Sequence, residues 1–208
     1  MPPLHKNPSG SLRDRKKEQT RRVIQAEALR LFTEKGFEAT TIEEIAAAAD
    51  VAPRTFFRYF PTKEEVIFWP AYRPLLAGLM AARPDESAVQ ALCHAIVGGL
   101  SAFYDQDRER VLDRLHLAFR TPALHPRLRQ EQATTAHAMA AVLAQRLGMS
   151  PDNLEVRAMA AAVAAALWVA VEEWQTKDGQ VELRPLIQRT LTTVLAGENA
   201  TYGERAMP

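Results

Sequence analysis

The chain has 208 residues, of which 47% are apolar and 25% charged, and its formal net charge is +1 at pH 7. This composition is typical of a soluble globular protein, and the near-neutral charge disfavours a protein that compacts DNA without sequence preference. The single cysteine, Cys93, excludes an internal disulfide bond or a multi-cysteine metal site. With no signal-peptide pattern at the N-terminus, we expect a cytoplasmic protein.

Residues 1–12 lack periodicity and are predicted to be disordered. A basic cluster follows and continues into a helix that ends at Gly36. The cluster consists of Arg13, Arg15, Lys16, Lys17, Arg21 and Arg22. Two interpretations of it are open: a solvated helix face, or a flexible arm in which residues such as Lys17 contact DNA.

Two short helical patterns around a tight break come next. Thr41 and Glu44 form a capping box that predicts the start of one helix. Asp50 tolerates the left-handed conformation that a sharp turn needs, and Pro53 suits the first position of a second helix, which should run to about Phe60. This arrangement predicts a helix-turn-helix.

The second helix has two kinds of aromatic residue. Phe56 and Phe60 are four residues apart and should face the core. The outward face is then formed by Arg54, Thr55, Phe57, Arg58 and Tyr59. A helix that enters a DNA major groove needs guanidinium, hydroxyl and flat apolar groups there. In the alternative interpretation, Phe57 and Tyr59 only complete a small core.

The segment from about residue 16 to 65 resembles the DNA-binding region of TetR-family transcriptional regulators. The family pattern is matched by Thr41, Ile42, Ile45-Ala46, Ala49-Asp50-Val51, Thr55-Phe56-Phe57, Tyr59-Phe60 and Lys63. The resemblance implies phosphate contacts from Thr41, Phe57, Tyr59 and Lys63, and contacts at or near base edges from Arg54, Thr55 and Arg58. Ala52 stands where the family usually has a capping serine, and Phe57 where it usually has a tyrosine.

The rest of the chain is predicted to be helical. Patterns cover residues 62–80, interrupted by Pro70 and Pro74, then 85–104, 107–120, 126–147, 151–177 and a final helix from Leu183. Ser150 is the predicted N-cap of the fifth of these. The expected fold is therefore all-α with about nine helices. Its predicted domains are a disordered segment 1–12, a three-helix DNA-binding domain 13–63, a ligand-binding and dimerisation bundle 64–198, and a tail 199–208.

The bundle holds more large apolar residues than its connections need, which is compatible with a plain core or with a ligand pocket. The candidate pocket residues are Leu76, Met80, Leu100, Phe103, Leu115, Phe119, His137, Met159 and Val163. The family resemblance favours a pocket for a small, largely apolar effector. Residues 115–129 also resemble the C-terminal domains of mycofactocin-cluster regulators of this family, which implies an acyl or hydrophobic effector.

The last two helices are apolar enough to pack in their own core or against a second copy of the chain. A two-fold dimer would present two recognition helices to successive major grooves about 34 Å apart. The resemblance implies an interface at residues 151–177 and 183–196. Its candidate residues are Trp168, Trp174, Leu183, Ile187, Leu191 and Val194.

Catalytic and cofactor-binding motifs are absent from the sequence: no nucleophile elbow, no glycine-rich phosphate loop and no metal-binding histidine spacing occurs. No cofactor is expected. Residues 1–63 carry 12 Lys and Arg against 8 Asp and Glu, so the positive end is the helix-turn-helix end. The sequence predicts a homodimeric, ligand-responsive regulator, most readily a repressor, that binds operator DNA. The alternative is a small-molecule-binding or enzymatic bundle with a vestigial helix-turn-helix.

Overall fold

The computed structural model describes residues 12–68, 80–104 and 108–203, with side chains for all of these except 14, 100–104 and 197–203. The chain divides into two compact units, residues 1–69 and 70–208. Every regular element in the described ranges is helical, which confirms the all-α prediction. Eight α-helices lie in these ranges, against about nine predicted, and most of the predicted helix over 62–80 falls outside them.

The first unit contains three α-helices and a 3₁₀ turn. The helices are α1 (Leu12–Lys35), α2 (Ile42–Ala48) and α3 (Pro53–Tyr59), and the turn covers Glu64–Val66. Helix α1 ends as predicted at Gly36, whose φ of +88° favours glycine. The turn follows Lys63 and has no side-chain cap.

Aromatic and aliphatic side chains from all three helices form the core of the first unit. The buried members are Ile24, Ala28, Leu31, Phe32, Phe37, Ile45, Ala46, Phe56, Phe60, Val66 and Ile67. The rings of Phe32 and Phe37 lie 5.1 Å apart at a tilted angle. Gln25 Nε2 donates a hydrogen bond of 2.7 Å to the Val66 carbonyl, so α1 is also tied to the 3₁₀ turn.

The second unit contains five α-helices. They are α4 (Ala88–Tyr104), α5 (Arg108–Arg120), α6 (His125–Leu147), α7 (Leu154–Thr176) and α8 (Leu183–Gly203), with a 3₁₀ turn at Pro122–Leu124. Helix α7 lies at the centre, where it packs along α6 and α8 and also contacts α4 and α5. Its buried residues are Val156, Ala160, Val163, Ala164, Leu167, Ala170, Trp174 and Gln175.

Two helix starts differ from the sequence prediction. Helix α4 begins at Ala88 because Ser87 and Gln90 exchange hydrogen bonds of 3.2 Å between side chain and backbone, which forms a capping box. Helix α7 begins at Leu154 because the Asn153 side chain accepts a hydrogen bond from the Val156 amide. The predicted N-cap, Ser150, instead accepts one from the Asp152 amide in the preceding turn.

Helix α7 is also the one helix in the described ranges that is long and apolar enough to cross a membrane by length and composition. One face of it, which includes Val163, Leu167 and Trp174, is buried against neighbouring helices of the chain, as in the central helix of a helical bundle.

Candidate DNA-binding surface

The turn between α2 and α3 is made by backbone conformation. Asp50 has a φ of +53°, as predicted, and the Val51 amide donates to the Ala46 carbonyl. Ala52 is the N-cap of α3 and supplies no side-chain hydrogen bond, while Pro53 occupies the first turn. The helix therefore starts without the cap that a serine would provide, a difference of about 1 kcal/mol.

Three aromatic residues of α3 face inward. Phe56 and Phe60 are fully buried, which confirms the sequence prediction. Tyr59 is only 8% exposed, so its predicted outward position is wrong. Tyr59 follows Phe56 by three residues and therefore shares its face. The guanidinium groups of Arg21 and Arg58 lie 5.7 Å and 5.2 Å from the centre of its ring.

The outward face of α3 combines two cations with one aromatic ring. Arg54 and Arg58 are exposed, Thr55 is half-buried, and Phe57 is 51% exposed. The Phe57 ring meets Phe56 edge-on at 5.7 Å, so its position is fixed by the core beneath it. Exposure of a large aromatic residue between two arginines costs stability and fits a surface that contacts another molecule.

The start of α2 is held by the predicted capping box. The Glu44 amide donates to Thr41 Oγ1 at 3.2 Å, and the Thr41 amide donates to Glu44 Oε2 at 3.0 Å. Lys35 also donates to the Glu44 carboxylate. The Lys35 hydrogen bond, with that from the Thr41 backbone, lowers the pKa of Glu44 to about 2. Thr41 itself remains exposed.

Lys63 is half-buried and its ammonium group has partners inside the protein. It donates to the Phe37 carbonyl at 2.6 Å and the Thr40 carbonyl at 2.9 Å. The Nζ atom also lies 4.2 Å from the centre of the Phe37 ring. The sequence did not indicate these contacts, because Lys63 follows Phe37 by 26 residues.

The basic cluster is helical. It lies within α1, so the interpretation of these residues as a flexible arm is wrong. Lys17 is exposed on this helix, and Arg21 and Arg22 pair with Glu18 at 3.8 Å and 3.3 Å. The cations are therefore spread around the first half of α1.

Comparison with known proteins agrees with this geometry. Residues 24–68 match the family of bacterial regulatory proteins called tetR, and residues 86–199 match the MftR C-terminal domain of TetR-family proteins. The HTH-type transcriptional regulator TcmR of Streptomyces glaucescens is 35% identical over 183 residues, which cover 83% of this chain and 81% of that protein. The chain belongs to the TetR family. It is thus a DNA-binding transcriptional regulator, as the sequence predicted, which decides against the enzymatic alternative.

Solved structures of TetR-family regulators share its fold. Thermus thermophilus FadR, a repressor solved with lauroyl-CoA, covers 84% of this chain and 93% of its own length, with a TM-score of 0.53 and 24% identity. The complex of SmeT from Stenotrophomonas maltophilia with triclosan covers 86% of this chain and 91% of its own length, with a TM-score of 0.58 and 18% identity.

The predicted effector-pocket residues of this TetR-family chain separate into four groups. Met80 and Val163 are buried in the bundle core, and Leu115, Phe119 and Met159 are half-buried. His137 is exposed, and its ring Nδ1 bonds to the Ala133 carbonyl at 2.8 Å, so its placement in a pocket is wrong. Leu76 and the side chains of Leu100 and Phe103 lie outside the described residues. No group of potential metal ligands occurs in the described ranges.

The predicted dimer-interface residues are mostly in the core of the single chain. Trp174, Leu183, Ile187 and Leu191 are each 3% exposed or less, so their assignment to an interface is wrong. The Trp174 indole N–H donates to the Val181 carbonyl at 2.9 Å. Because α7 is apolar on every side, its bulkiest face packs inward. Trp168 and Val194 are half-buried, and their role stays a prediction.

The outer face of α7 carries a stripe of small apolar residues that the sequence prediction did not separate from the rest. We define this outer stripe as Ala158, Ala162, Ala165 and Val169, spaced by four, three and four residues, and all are exposed. Val169 is 56% exposed. No charged residue occurs between Ala158 and Val171. Beside Val169, a surface groove of about 320 Å³ runs between α7 and α8.

Proposed function

We propose that the chain is a homodimeric repressor that binds operator DNA through α3 and leaves it when a small, largely apolar effector occupies the second unit. The observation that carries the DNA-binding part is the outward face of α3, where Arg54, Phe57 and Arg58 are exposed beside a buried aromatic core. Guanidinium groups read guanine edges, and a flat apolar group contacts thymine methyls.

Residue roles follow from this surface. Arg54, Thr55 and Arg58 are proposed to lie at or near base edges. Thr41, Phe57 and Lys17 are exposed and are proposed to contact the DNA backbone, Phe57 through its apolar ring. Tyr59 is mostly buried, so only its hydroxyl is a candidate for a phosphate contact.

The proposal of a homodimer is supported by the outer stripe of α7. Four small apolar residues at alternating spacings of four and three allow two helices to approach closely and bury uncharged surface. The groove beside Val169 is lined by Glu172, Glu173 and Arg189, which supply a polar rim. A two-fold dimer supplies two copies of α3, and one copy alone would bind DNA weakly.

The proposal of an apolar effector is supported by side chains of the second unit and by ligands of similar proteins. FadR is solved with lauroyl-CoA and SmeT with triclosan, both of which have large apolar parts. In this chain, the ring of Phe119 lies 6.4 Å from that of Trp168, and Leu115, Met159 and Phe119 are half-buried. These side chains are proposed to line the effector site. The protein is proposed to act in the cytoplasm, where its operator is found.

A mobility-shift assay tests the function. Duplexes from the region flanking the gene of this chain are titrated against a random duplex of equal length at several salt concentrations. We expect preferential binding that weakens as salt rises. Equal affinity for both duplexes at every salt concentration would contradict the proposal. A thermal-shift screen then identifies compounds that stabilise the chain, and an effector must also release the duplex.

A further inference from the structure

Lys63 joins the two ends of the helix-turn-helix. It lies three residues beyond Phe60, the C-cap of α3, and its ammonium group bonds to the Phe37 and Thr40 carbonyls in the connection between α1 and α2. Thr40 immediately precedes Thr41, the N-cap of α2. One side chain therefore fixes the chain that leaves α3 against the chain that enters α2.

The connection between α1 and α2 is also held by hydrogen bonds on its buried side. Thr40 is 1% exposed, and its hydroxyl oxygen lies 2.8 Å from the Gly36 carbonyl and 3.3 Å from the Leu31 carbonyl, both of them acceptors. The Phe37 ring is buried between Phe32 and the Lys63 ammonium group. Movement of Lys63 would therefore release the segment that carries the α2 cap.

Among the described residues, no side-chain hydrogen bond holds the turn between α2 and α3. The turn at Asp50 depends on backbone conformation, and Ala52 gives α3 no side-chain cap. The angle between α2 and α3 thus depends on the shared core and on the Lys63 contacts. Two of the three ammonium donors point at the Phe37 and Thr40 carbonyl oxygens, which leaves fewer donors for a phosphate.

We propose that Lys63 is a positioning residue, which holds α2 and α3 in the geometry that reads DNA and does not act mainly through a phosphate. Charge-assisted hydrogen bonds to two carbonyls have the strength and direction for this task. The inference rests on the proposed DNA-binding function. This positioning role differs from the phosphate contact that the family resemblance implies for Lys63.

The experiment compares Lys63→Met, which keeps the apolar stem, with Lys17→Met, which removes an exposed cation that is proposed to contact the DNA backbone. The probe is a duplex selected from a random pool by the parent chain, with a random duplex of equal length as reference. Affinities are measured at several salt concentrations, at a temperature well below the unfolding midpoint of each variant. Hydrogen exchange of the Thr41, Ile45 and Ala46 amides is measured without DNA.

For Lys63→Met, we expect the preference for the selected duplex over the random one to fall about tenfold, comparable with one mismatched base pair. The dependence of log K on log salt should stay as in the parent, whereas in Lys17→Met its slope should fall by about 0.9. Hydrogen exchange should accelerate in Lys63→Met alone. A purely global loss of stability would not change the preference at this temperature.

Two results would overturn the proposal. A slope that falls by about 0.9 in Lys63→Met, with equal losses on both duplexes, would identify a phosphate contact. Unchanged preference and unchanged hydrogen exchange would leave Lys63 without a positioning role. If Lys63→Met does not fold, Lys63→Gln, which keeps amide N–H donors without the charge, should show the same pattern with smaller changes. A parent chain that selects no duplex refutes the proposed function, while hydrogen exchange still decides the role of Lys63.

Discussion

Helices α3 and α7 both leave apolar side chains outside the core of the chain, but the surroundings of those side chains differ. On α3, the exposed ring of Phe57 lies between Arg54 and Arg58. On α7, the outer stripe has only alanine and valine, and no charge occurs from Ala158 to Val171. An apolar group among cations suits a polyanion, whereas an uncharged stripe of small residues suits another copy of itself. The chemistry around an exposed apolar residue thus indicates its partner better than its exposure does.

The largest effect is expected from a charge in the outer stripe. Ala165→Arg should raise the dimer dissociation constant by about 100-fold or more, because an unpaired buried charge costs about 3 kcal/mol or more. Sedimentation measures the oligomeric state, and a mobility shift measures the accompanying loss of operator binding. The matched control is Ala141→Arg, at an exposed alanine of α6, which should leave both unchanged. A parent chain that is monomeric at micromolar concentration would contradict the interface.

A smaller effect is expected on α3. Arg58→Ala should weaken operator binding by about 1–3 kcal/mol and relax the preference at one base pair. Binding to each single-base variant of the operator measures this directly. Arg129→Ala removes an exposed arginine of α6 and serves as control. An equal loss on operator and random DNA would show that Arg58 contacts a phosphate instead.

The missing cap of α3 predicts a substitution that stabilises the chain. Ala52→Ser should stabilise the chain by about 1 kcal/mol, because the hydroxyl can accept a hydrogen bond from an amide in the first turn. Urea denaturation followed by circular dichroism measures the change in the free energy of unfolding. Ala48→Ser, at an exposed position near the end of α2, should not stabilise. Lack of stabilisation at Ala52 would mean that the amides are already satisfied by water.

The smallest effect concerns pH. The pKa of Glu44 is lowered from 4.5 to about 2, so its contribution to stability is complete above pH 4.5 and is lost as the pH falls towards 2. Carbon-detected NMR titration of the Glu44 carboxyl should give a midpoint near 2. In Lys35→Met the midpoint should rise towards the ordinary value, because the hydrogen bond with Lys35 is the largest cause of the shift. An unchanged midpoint would assign the shift to Thr41.

Local signals predicted the helix-turn-helix well. The Thr41–Glu44 capping box, the left-handed Asp50 and the first-turn Pro53 each act within a few residues, so the sequence contains all that is needed to place them. The start of α7 was misplaced because Ser150 and Asn153 are both good caps, and only packing selects between them.

Faces were harder to predict than helices. Spacing shows which residues share a face, and it gave Phe56 and Phe60 correctly. Spacing also allows Tyr59, three residues after Phe56, to join that face, but only the fold shows that it does. On α7 every face is apolar, so periodicity could not decide that Trp174 packs inward and Ala165 outward. The contacts of Lys63 cross 23 and 26 residues, beyond the reach of any local pattern.

The first half of α1 has a consequence for the heat of DNA binding. None of the described side chains from Leu12 to Thr20 is buried, so about 13 Å of helix precedes the first described tertiary contact, that of Arg21 with Tyr59. Arg13, Lys17 and Arg21 follow one another at intervals of four residues, where like charges repel. Because so short a segment is marginal as a helix in water, contact with phosphates should complete its winding. Association should then release more heat, and lose more entropy, than docking of an equally large rigid surface.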